Sequence, residues 1–125
     1  MQQNVRNIHN NGIPILAGTD AFTGSYYPVT LPFGLTLHDE LKNFVDIGFS
    51  PAEALRAATI VPALAHGLSN RGRIASGLRA DMVLLEPDAD PLKNIGDTKK
   101  IARVWNGGVE YTGTLKNVQN STSTG

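Results

Sequence analysis

Asp20 is the residue of this chain whose position most favours chemistry. It lies among small residues shortly after a continuous apolar run, residues 13–17. Such a run is typical of a strand that is buried on both faces, as the strands of parallel sheets are. In a (β/α) barrel, a polar residue at the end of such a strand lies on the face that carries the chemistry. An aspartate beside glycines also shapes turns, and the spacing alone favours the turn over a catalytic carboxylate.

Three histidines, His9, His38 and His66, are the other candidates for metal binding or proton transfer. None has a metal-ligand spacing such as His-x-His or His-Glu-x-x-His. His38 stands beside an acid in the first turn of a predicted helix, where it either faces a substrate pocket or, as the favoured interpretation, caps or packs the helix. His66 precedes a glycine and suits the negative end of a helix. His9 is expected on the surface at a helix end.

Composition and charge exclude several classes of function. Eleven basic residues balance eleven acidic ones, so no field of one sign attracts phosphate backbones or anionic lipid, and we expect neither a nucleic-acid nor a membrane partner. The chain has no cysteine, which excludes disulfides, thiolate metal sites and cysteine nucleophiles. No apolar stretch approaches the roughly 20 residues of a membrane span, and the polar amino terminus does not resemble a secretory signal. These features predict a cytoplasmic protein.

The first half of the chain predicts helices around one buried strand. Residues 2–11 predict the end of a helix, and residues 13–20 the strand. The loop at residues 22–35 is long and aromatic, so it either rims a pocket or covers neighbouring core; its Tyr26, Tyr27 and Phe33 are the candidates to line such a pocket. Further helices are predicted from a Thr36 cap to Ile47, from a capping box at Ser50-Pro-Ala-Glu53, and from Pro62 to His66.

The second half predicts β-structure. Residues 81–86 form an apolar β-run, and Asn106-Gly107 between β-prone segments is the strongest short signal for a hairpin. The change from helices to strands falls near residue 69. Residues 114–125 are polar and are expected to be disordered.

Four phrases now stand in order: Gly12-Ile-Pro-Ile-Leu-Ala-Gly-Thr-Asp-Ala21, Leu37-His-Asp-Glu-Leu41, the run at residues 48–59 (GFSPAEALRAAT), and the run at residues 72–84 (GRIASGLRADMVL). Together they resemble the carboxy-terminal part of metal-dependent amidohydrolases of the imidazolonepropionase-like and prolidase-like kind. The resemblance covers about residues 8–111. Each phrase alone is weak evidence for this family, but four phrases in the same order and at compact spacing are a specific signal.

The resemblance implies an α/β fold: the last strand and following helices of a (β/α)₈ barrel in residues 1–68, and strands of a small β-sandwich in residues 69–113. It implies hydrolysis of carbon–nitrogen bonds other than peptide bonds, in a small-molecule amide or cyclic amide, with one or two divalent metals, zinc first among them. It also implies that Asp20 is the final metal ligand and the general base toward the hydrolytic water. His38, Tyr26 and Tyr27 are the candidate substrate contacts.

The sequence departs from the family in its remaining metal ligands. The family's His-x-His pair, its mid-barrel lysine or acid, and its two later histidines have no counterpart here. We therefore expect a fragment of such a hydrolase that is inactive alone and does not bind zinc tightly. The alternative is a non-catalytic truncated module that completes or associates with another chain. The unpaired edge of the strand at residues 13–20 predicts self-association.

Overall fold

The computed structural model describes residues 2–21 and 34–113 of the chain. Within them four α-helices come first: α1 (Gln2–Asn10), α2 (Leu35–Asp46), α3 (Pro51–Ala57) and α4 (Ile60–Ala65). Three strands follow, β1 (Met82–Leu85), β2 (Ile101–Asn106) and β3 (Val109–Glu110), with a 3₁₀ helix, Ile95–Lys99, between β1 and β2. None of the helices in these two ranges is long and apolar enough to cross a membrane. Tyr26, Tyr27, Phe33 and the predicted tail at residues 114–125 lie outside the described residues.

The prediction of a strand at residues 13–20 is wrong. Residues 13–21 are irregular, and their link to the helices includes a hydrogen bond from the Ala17 amide to the Ala57 carbonyl at 2.9 Å. A strand needs a neighbour with which to exchange backbone hydrogen bonds, and among the described residues no strand lies beside this segment. Its apolar side chains Ile15 and Ala17 pack on the helical core instead.

The helix predicted from Thr36 is present as α2, but its predicted cap is wrong. The N-cap is Gly34, with φ 81° and no side-chain cap hydrogen bond. Glycine adopts this left-handed backbone without steric cost, so the chain turns into the helix before Thr36. Asp39 therefore lies within the helix, and its carboxylate pairs with Lys99 Nζ at 3.3 Å.

The capping box predicted for α3 is confirmed. Ser50 Oγ accepts from the Glu53 amide at 3.3 Å, and Glu53 Oε2 accepts from the Ser50 amide at 2.8 Å. The Ser50 amide and the Ser50 hydroxyl, whose Oγ donates to Glu53 Oε2 at 2.7 Å, stabilise the charged carboxylate and hold the pKa of Glu53 below its usual value. The hydrogen bonds of the capping box have a structural effect as well. They also fix the start of α3, whose small residues Ala54 and Ala57 are buried in the core. The helix predicted from Pro62 begins two residues earlier, at Ile60.

The core lies between α2, α3 and the 3₁₀ helix, and α1 packs against it. The Phe44 and Phe49 rings stack with centroids 4.9 Å apart, and His9 of α1 stacks on Phe49 at 3.8 Å. Arg6 Nε also donates to the Ile47 carbonyl at 2.7 Å. The buried members of this cluster are Leu41, Phe44, Ile47, Phe49, Ala54, Ala57 and Ile95.

The strands form one antiparallel sheet in the order β1-β2-β3. The predicted hairpin is confirmed: Gly107 and Gly108 join β2 to β3 with φ of 61° and 85°. On the central strand Trp105 lies opposite Met82 of β1 and Glu110 of β3. The division of the chain at residue 69 into barrel and sandwich portions stays a prediction.

Candidate active site

The apolar segment before Asp20 is attached to two helices by its backbone. Besides the bond from Ala17 to α3, the Gly18 amide donates to Glu40 Oε1 of α2 at 3.5 Å. Thr19 Oγ1 then accepts from the Ala21 amide at 3.3 Å, which closes a short side-chain turn around Asp20. Residues on two packed helices therefore set the position of the aspartate backbone.

Asp20 has an unusual backbone conformation and an exposed side chain. Its φ is 47°, and it is the single non-glycine residue of the described ranges with a positive φ. Aspartate enters this left-handed region more readily than most residues, and strained backbone of this kind concentrates at functional sites. Asp20 is exposed, and no described residue bonds to its carboxylate. The described residues therefore leave this carboxylate open to water or a substrate.

The described residues do not assemble a metal site around Asp20. Within residues 2–21 and 34–113, no group of three or more histidine, aspartate or glutamate side chains lies close enough together to hold an ion. Catalytic zinc usually takes three protein ligands, and Asp20 supplies one. The described donor set therefore does not fit the divalent metal that the resemblance implies, and the roles of Asp20 as ligand and base stay predictions.

His38 lies on α2, and its side chain contacts the 3₁₀ helix. Its Nδ1 lies 2.9 Å from Thr98 Oγ1, and the Thr98 hydroxyl donates to the Ile95 carbonyl at 2.9 Å. Because that hydroxyl proton is already engaged, Thr98 Oγ1 accepts here and His38 Nδ1 carries the proton. His38 also lines an apolar cavity of about 280 Å³, and Asp20 is not among its lining residues. This geometry agrees with a packing role, and the substrate contact stays a prediction.

Acidification is expected to destabilise the wild-type protein more than the His38→Gln variant. Burial lowers the pKa of His38 from its ordinary 6.5, the positive charge of Lys99 lowers it further, and Asp39 opposes the shift. The unfolded chain therefore takes up this proton at a higher pH than the folded one. Neutral, buried His38 therefore contributes fully to the free energy of unfolding above about pH 6.5, the pKa of the unfolded chain. This contribution is lost as the pH falls toward the lowered pKa of the folded protein. Urea midpoints at about pH 7.5 and about pH 5.5 measure the loss; an equal loss in both proteins would contradict the assignment.

The other two histidines lie elsewhere. His66 ends α4, as predicted, with Nδ1 2.8 Å from the Pro62 carbonyl. His9 lies near the end of α1, but the predicted surface position is only half right, because it is stacked on Phe49 and its Nε2 lies 3.7 Å from Glu53 Oε1. Sequence analysis missed this stack and the Glu40 contact to Gly18. Glu40 belongs to the Leu37–Leu41 phrase, which could have indicated its contact with the segment before Asp20. The stack of His9 on Phe49 joins residues too distant in sequence for a local pattern to predict it.

Comparison with known proteins finds the same family that the four sequence phrases resemble. Residues 1–114 match the sequence profile of the amidohydrolase family. The imidazolonepropionase of Streptomyces griseus is 32% identical over 104 residues, which is 82% of this chain and 25% of that protein. An adenine deaminase of Methylobacterium is 42% identical over 68 residues, 54% of this chain and 11% of that protein.

A solved structure shows the same likeness in three dimensions. Phenylurea hydrolase B superposes with a TM-score of 0.76 at 31% identity, over 88% of this chain and 26% of that chain. The chain thus spans about a quarter or less of the length of these relatives. Profile, relatives and structure agree on the family while the relatives act on different compounds. The chain belongs to the amidohydrolase family.

Proposed function

We propose that this chain contributes Asp20 to an active site that hydrolyses carbon–nitrogen bonds, other than peptide bonds, in small molecules. The observation that carries the proposal is the exposed Asp20 carboxylate, held in a left-handed backbone at the end of an apolar segment. The names of the relatives support the reaction class: one hydrolyses phenylureas and another deaminates adenine. An amide or cyclic amide is the substrate class that we propose here.

The chemistry assigned to Asp20 is proton transfer. A carboxylate within hydrogen-bond reach of a water takes its proton as the oxygen attacks the carbonyl carbon. The same proton then passes to the departing nitrogen as the carbon–nitrogen bond breaks, so that an amide and water yield an acid and an amine. The described residues alone do not supply the ligands of the metal that the family implies.

We further propose that residues 13–20 act as the last strand of a (β/α)₈ barrel when other strands lie beside them. The segment is apolar over residues 13–17, as a strand covered on both faces is. Ile13 is 55% exposed, so the segment has surface that such neighbours would bury. The remaining catalytic groups would come from those neighbours, and Tyr26 and Tyr27 are proposed to line the substrate pocket.

The substitution Asp20→Asn tests this function. The protein is isolated from its cells with any chains that stay bound, and three reactions are followed: release of amine from a phenylurea, release of ammonia from adenine, and ring opening of a cyclic amide. Asparagine is nearly isosteric and tolerates the left-handed backbone, so the fold should persist. Because a general base contributes about 10²–10⁴-fold, we expect the rate to fall at least about 100-fold.

The matched control is Asp46→Asn, which removes an exposed carboxylate that pairs with Lys42 on α2. Its rate should stay within about twofold of the wild type, since exposed ion pairs contribute little. Equal rates for Asp20→Asn and wild type would contradict the role of Asp20. Wild-type protein inactive on every probe would favour the second candidate, a non-catalytic module, to which the absence of a described metal cluster also points.

A further inference from the structure

The cavity lined by His38 is not used by the chemistry proposed for Asp20. It has a volume of about 280 Å³ and lies where α2 and the residues joining α3 to α4 face the sheet and the 3₁₀ helix. Its walls are apolar except for three side chains, His38, Thr59 and Thr98, and Asp20 does not line it. The cavity is therefore a candidate site for a small molecule in its own right.

The size of the cavity sets the size of the molecule. Protein interiors are close-packed and contain few voids larger than a water molecule, whereas an apolar cavity of roughly 150 Å³ is large enough to bind benzene. The cavity here is larger, so it has room for a one-ring molecule with a substituent. Leu37 and Val83 line it and are 37% and 55% exposed, so its mouth lies between α2 and β1.

The polar side chains of the wall offer hydrogen-bond acceptors but no unengaged donor. The Thr59 hydroxyl donates to the Leu55 carbonyl at 2.8 Å. The Thr98 hydroxyl donates to the Ile95 carbonyl. The Nδ1 proton of His38 is engaged with Thr98 Oγ1, so the other ring nitrogen, Nε2, carries a lone pair. A polar molecule in the cavity must therefore supply the donor.

Nε2 of His38 is accessible to such a donor. Within residues 2–21 and 34–113, no hydrogen bond or ion pair engages this nitrogen. The same residues contain no fully buried side-chain nitrogen or oxygen without a partner, so Nε2 keeps accessible surface. A molecule that covered this nitrogen without donating to it would leave a buried acceptor unpaired, which is unfavourable.

The charges nearest this ring pair with each other. After burial, the charges that act on the pKa of His38 are those of Lys99, which lowers it, and Asp39, which raises it. Lys99 Nζ lies 3.3 Å from Asp39 Oδ1, and neither side chain lines the cavity. An ion in the cavity would lose its hydration without gaining a counter-charge from the wall, so the cavity favours a neutral molecule.

We propose that this cavity binds a neutral, one-ring aromatic molecule that carries one O–H or N–H donor, such as a phenol or an aniline. The ring lies against the apolar walls, which include Leu41 and Leu55, and the donor bonds to His38 Nε2. Binding uses no metal and no catalytic group, so this site does not depend on the function proposed for Asp20.

The test uses phenol and toluene, which differ only in a hydroxyl against a methyl group. Resonances of the full 125-residue chain are followed by NMR up to roughly millimolar concentrations of each compound. We expect both compounds to shift the methyl resonances of Leu41 and Leu55, and phenol alone to shift the Nε2 resonance of His38. Unchanged methyl resonances with both would overturn the proposal. So would nuclear Overhauser contacts from residues 22–33 to both leucines in the free protein, because the chain itself would then fill the cavity.

His38→Leu tests the assigned hydrogen bond. Leucine keeps the wall apolar and removes the acceptor, so the affinity for phenol should fall by roughly three- to tenfold. The affinity for toluene should not fall, because toluene makes no hydrogen bond. An equal change for the two compounds would overturn the assignment of Nε2 as the acceptor.

Ala58→Leu tests the location of the site. Ala58 lines the cavity, so the larger side chain should occupy part of the space and weaken the binding of both compounds at least roughly fivefold. The matched control is Leu92→Ala, which changes a 61% exposed apolar residue that does not line the cavity and should leave both affinities unchanged. Wild-type affinities in a folded Ala58→Leu protein would mean that the compounds bind elsewhere.

The outcome is separable from the test of the active site. Asp20→Asn should bind phenol like the wild type, because Asp20 does not line the cavity. Loss of hydrolysis in that variant with normal binding of phenol supports the two proposals independently. A protein that binds phenol in this cavity but hydrolyses no substrate would leave the binding site standing without the proposed reaction.

Discussion

Phe44→Ala is expected to lower the free energy of unfolding by about 3–5 kcal/mol. Phe44 is 5% exposed and stacks on Phe49, which in turn carries His9 of α1. Truncation therefore leaves a cavity at the centre of the helical core and removes one member of a three-ring stack. Small domains are stable by about 5–15 kcal/mol in total, so this single change should bring the chain close to unfolding.

Urea unfolding followed by far-ultraviolet circular dichroism measures this effect. The control is Leu64→Ala on α4, whose side chain is 62% exposed and whose loss should cost less than about 0.5 kcal/mol. Equal urea midpoints for the two variants would show that the Phe44 cluster is not the centre of the core.

Gly72→Ala is expected to destabilise the protein by about 2–5 kcal/mol, the sum of a steric and a backbone cost. A methyl group placed on Gly72 would lie 2.7 Å from Ala63 Cβ and 2.9 Å from the Thr59 carbonyl oxygen. The φ of Gly72 is also 88°, in the left-handed region that favours glycine. The segment before β1 could accept alanine only by moving away from α4.

Gly77→Ala is the matched control because it isolates the backbone cost. Gly77 has a similar φ of 80°, but a methyl group there would meet no atom within 4 Å. Its substitution should cost only about 1–2 kcal/mol. Thermal melts of the two variants measure the difference, and an equal loss would mean that the contact between Gly72 and α4 does not stabilise the fold.

Features encoded by neighbouring residues could be predicted from the sequence. The start of α3 follows from Ser50 and Glu53, three residues apart, because a capping box needs only those side chains and their own backbone. The hairpin after β2 follows from Asn106-Gly107 for a similar reason, since two adjacent residues define the turn.

Features that depend on distant partners could not be predicted in the same way. Residues 13–20 have the composition of a buried strand, but a strand exists only beside another strand, and the described residues contain none next to them. The stack of His9 on Phe49 joins residues forty positions apart, so no local sequence pattern predicts that they are in contact. The sequence singles out Asp20, whose role stays a prediction, but it did not predict the left-handed backbone of that residue, which lies just after the points where Ala17 and Gly18 are attached to α3 and α2.

The position of the single tryptophan gives the sheet its own optical signal. Trp105 is the one indole of the chain, and it lies in the central strand between Met82 and Glu110. Its fluorescence therefore reports separation of the three strands, while circular dichroism is dominated by the helices. Coincident melting of the two signals would mean that the helical core and the sheet unfold as one cooperative unit, and separate melting that they unfold as two.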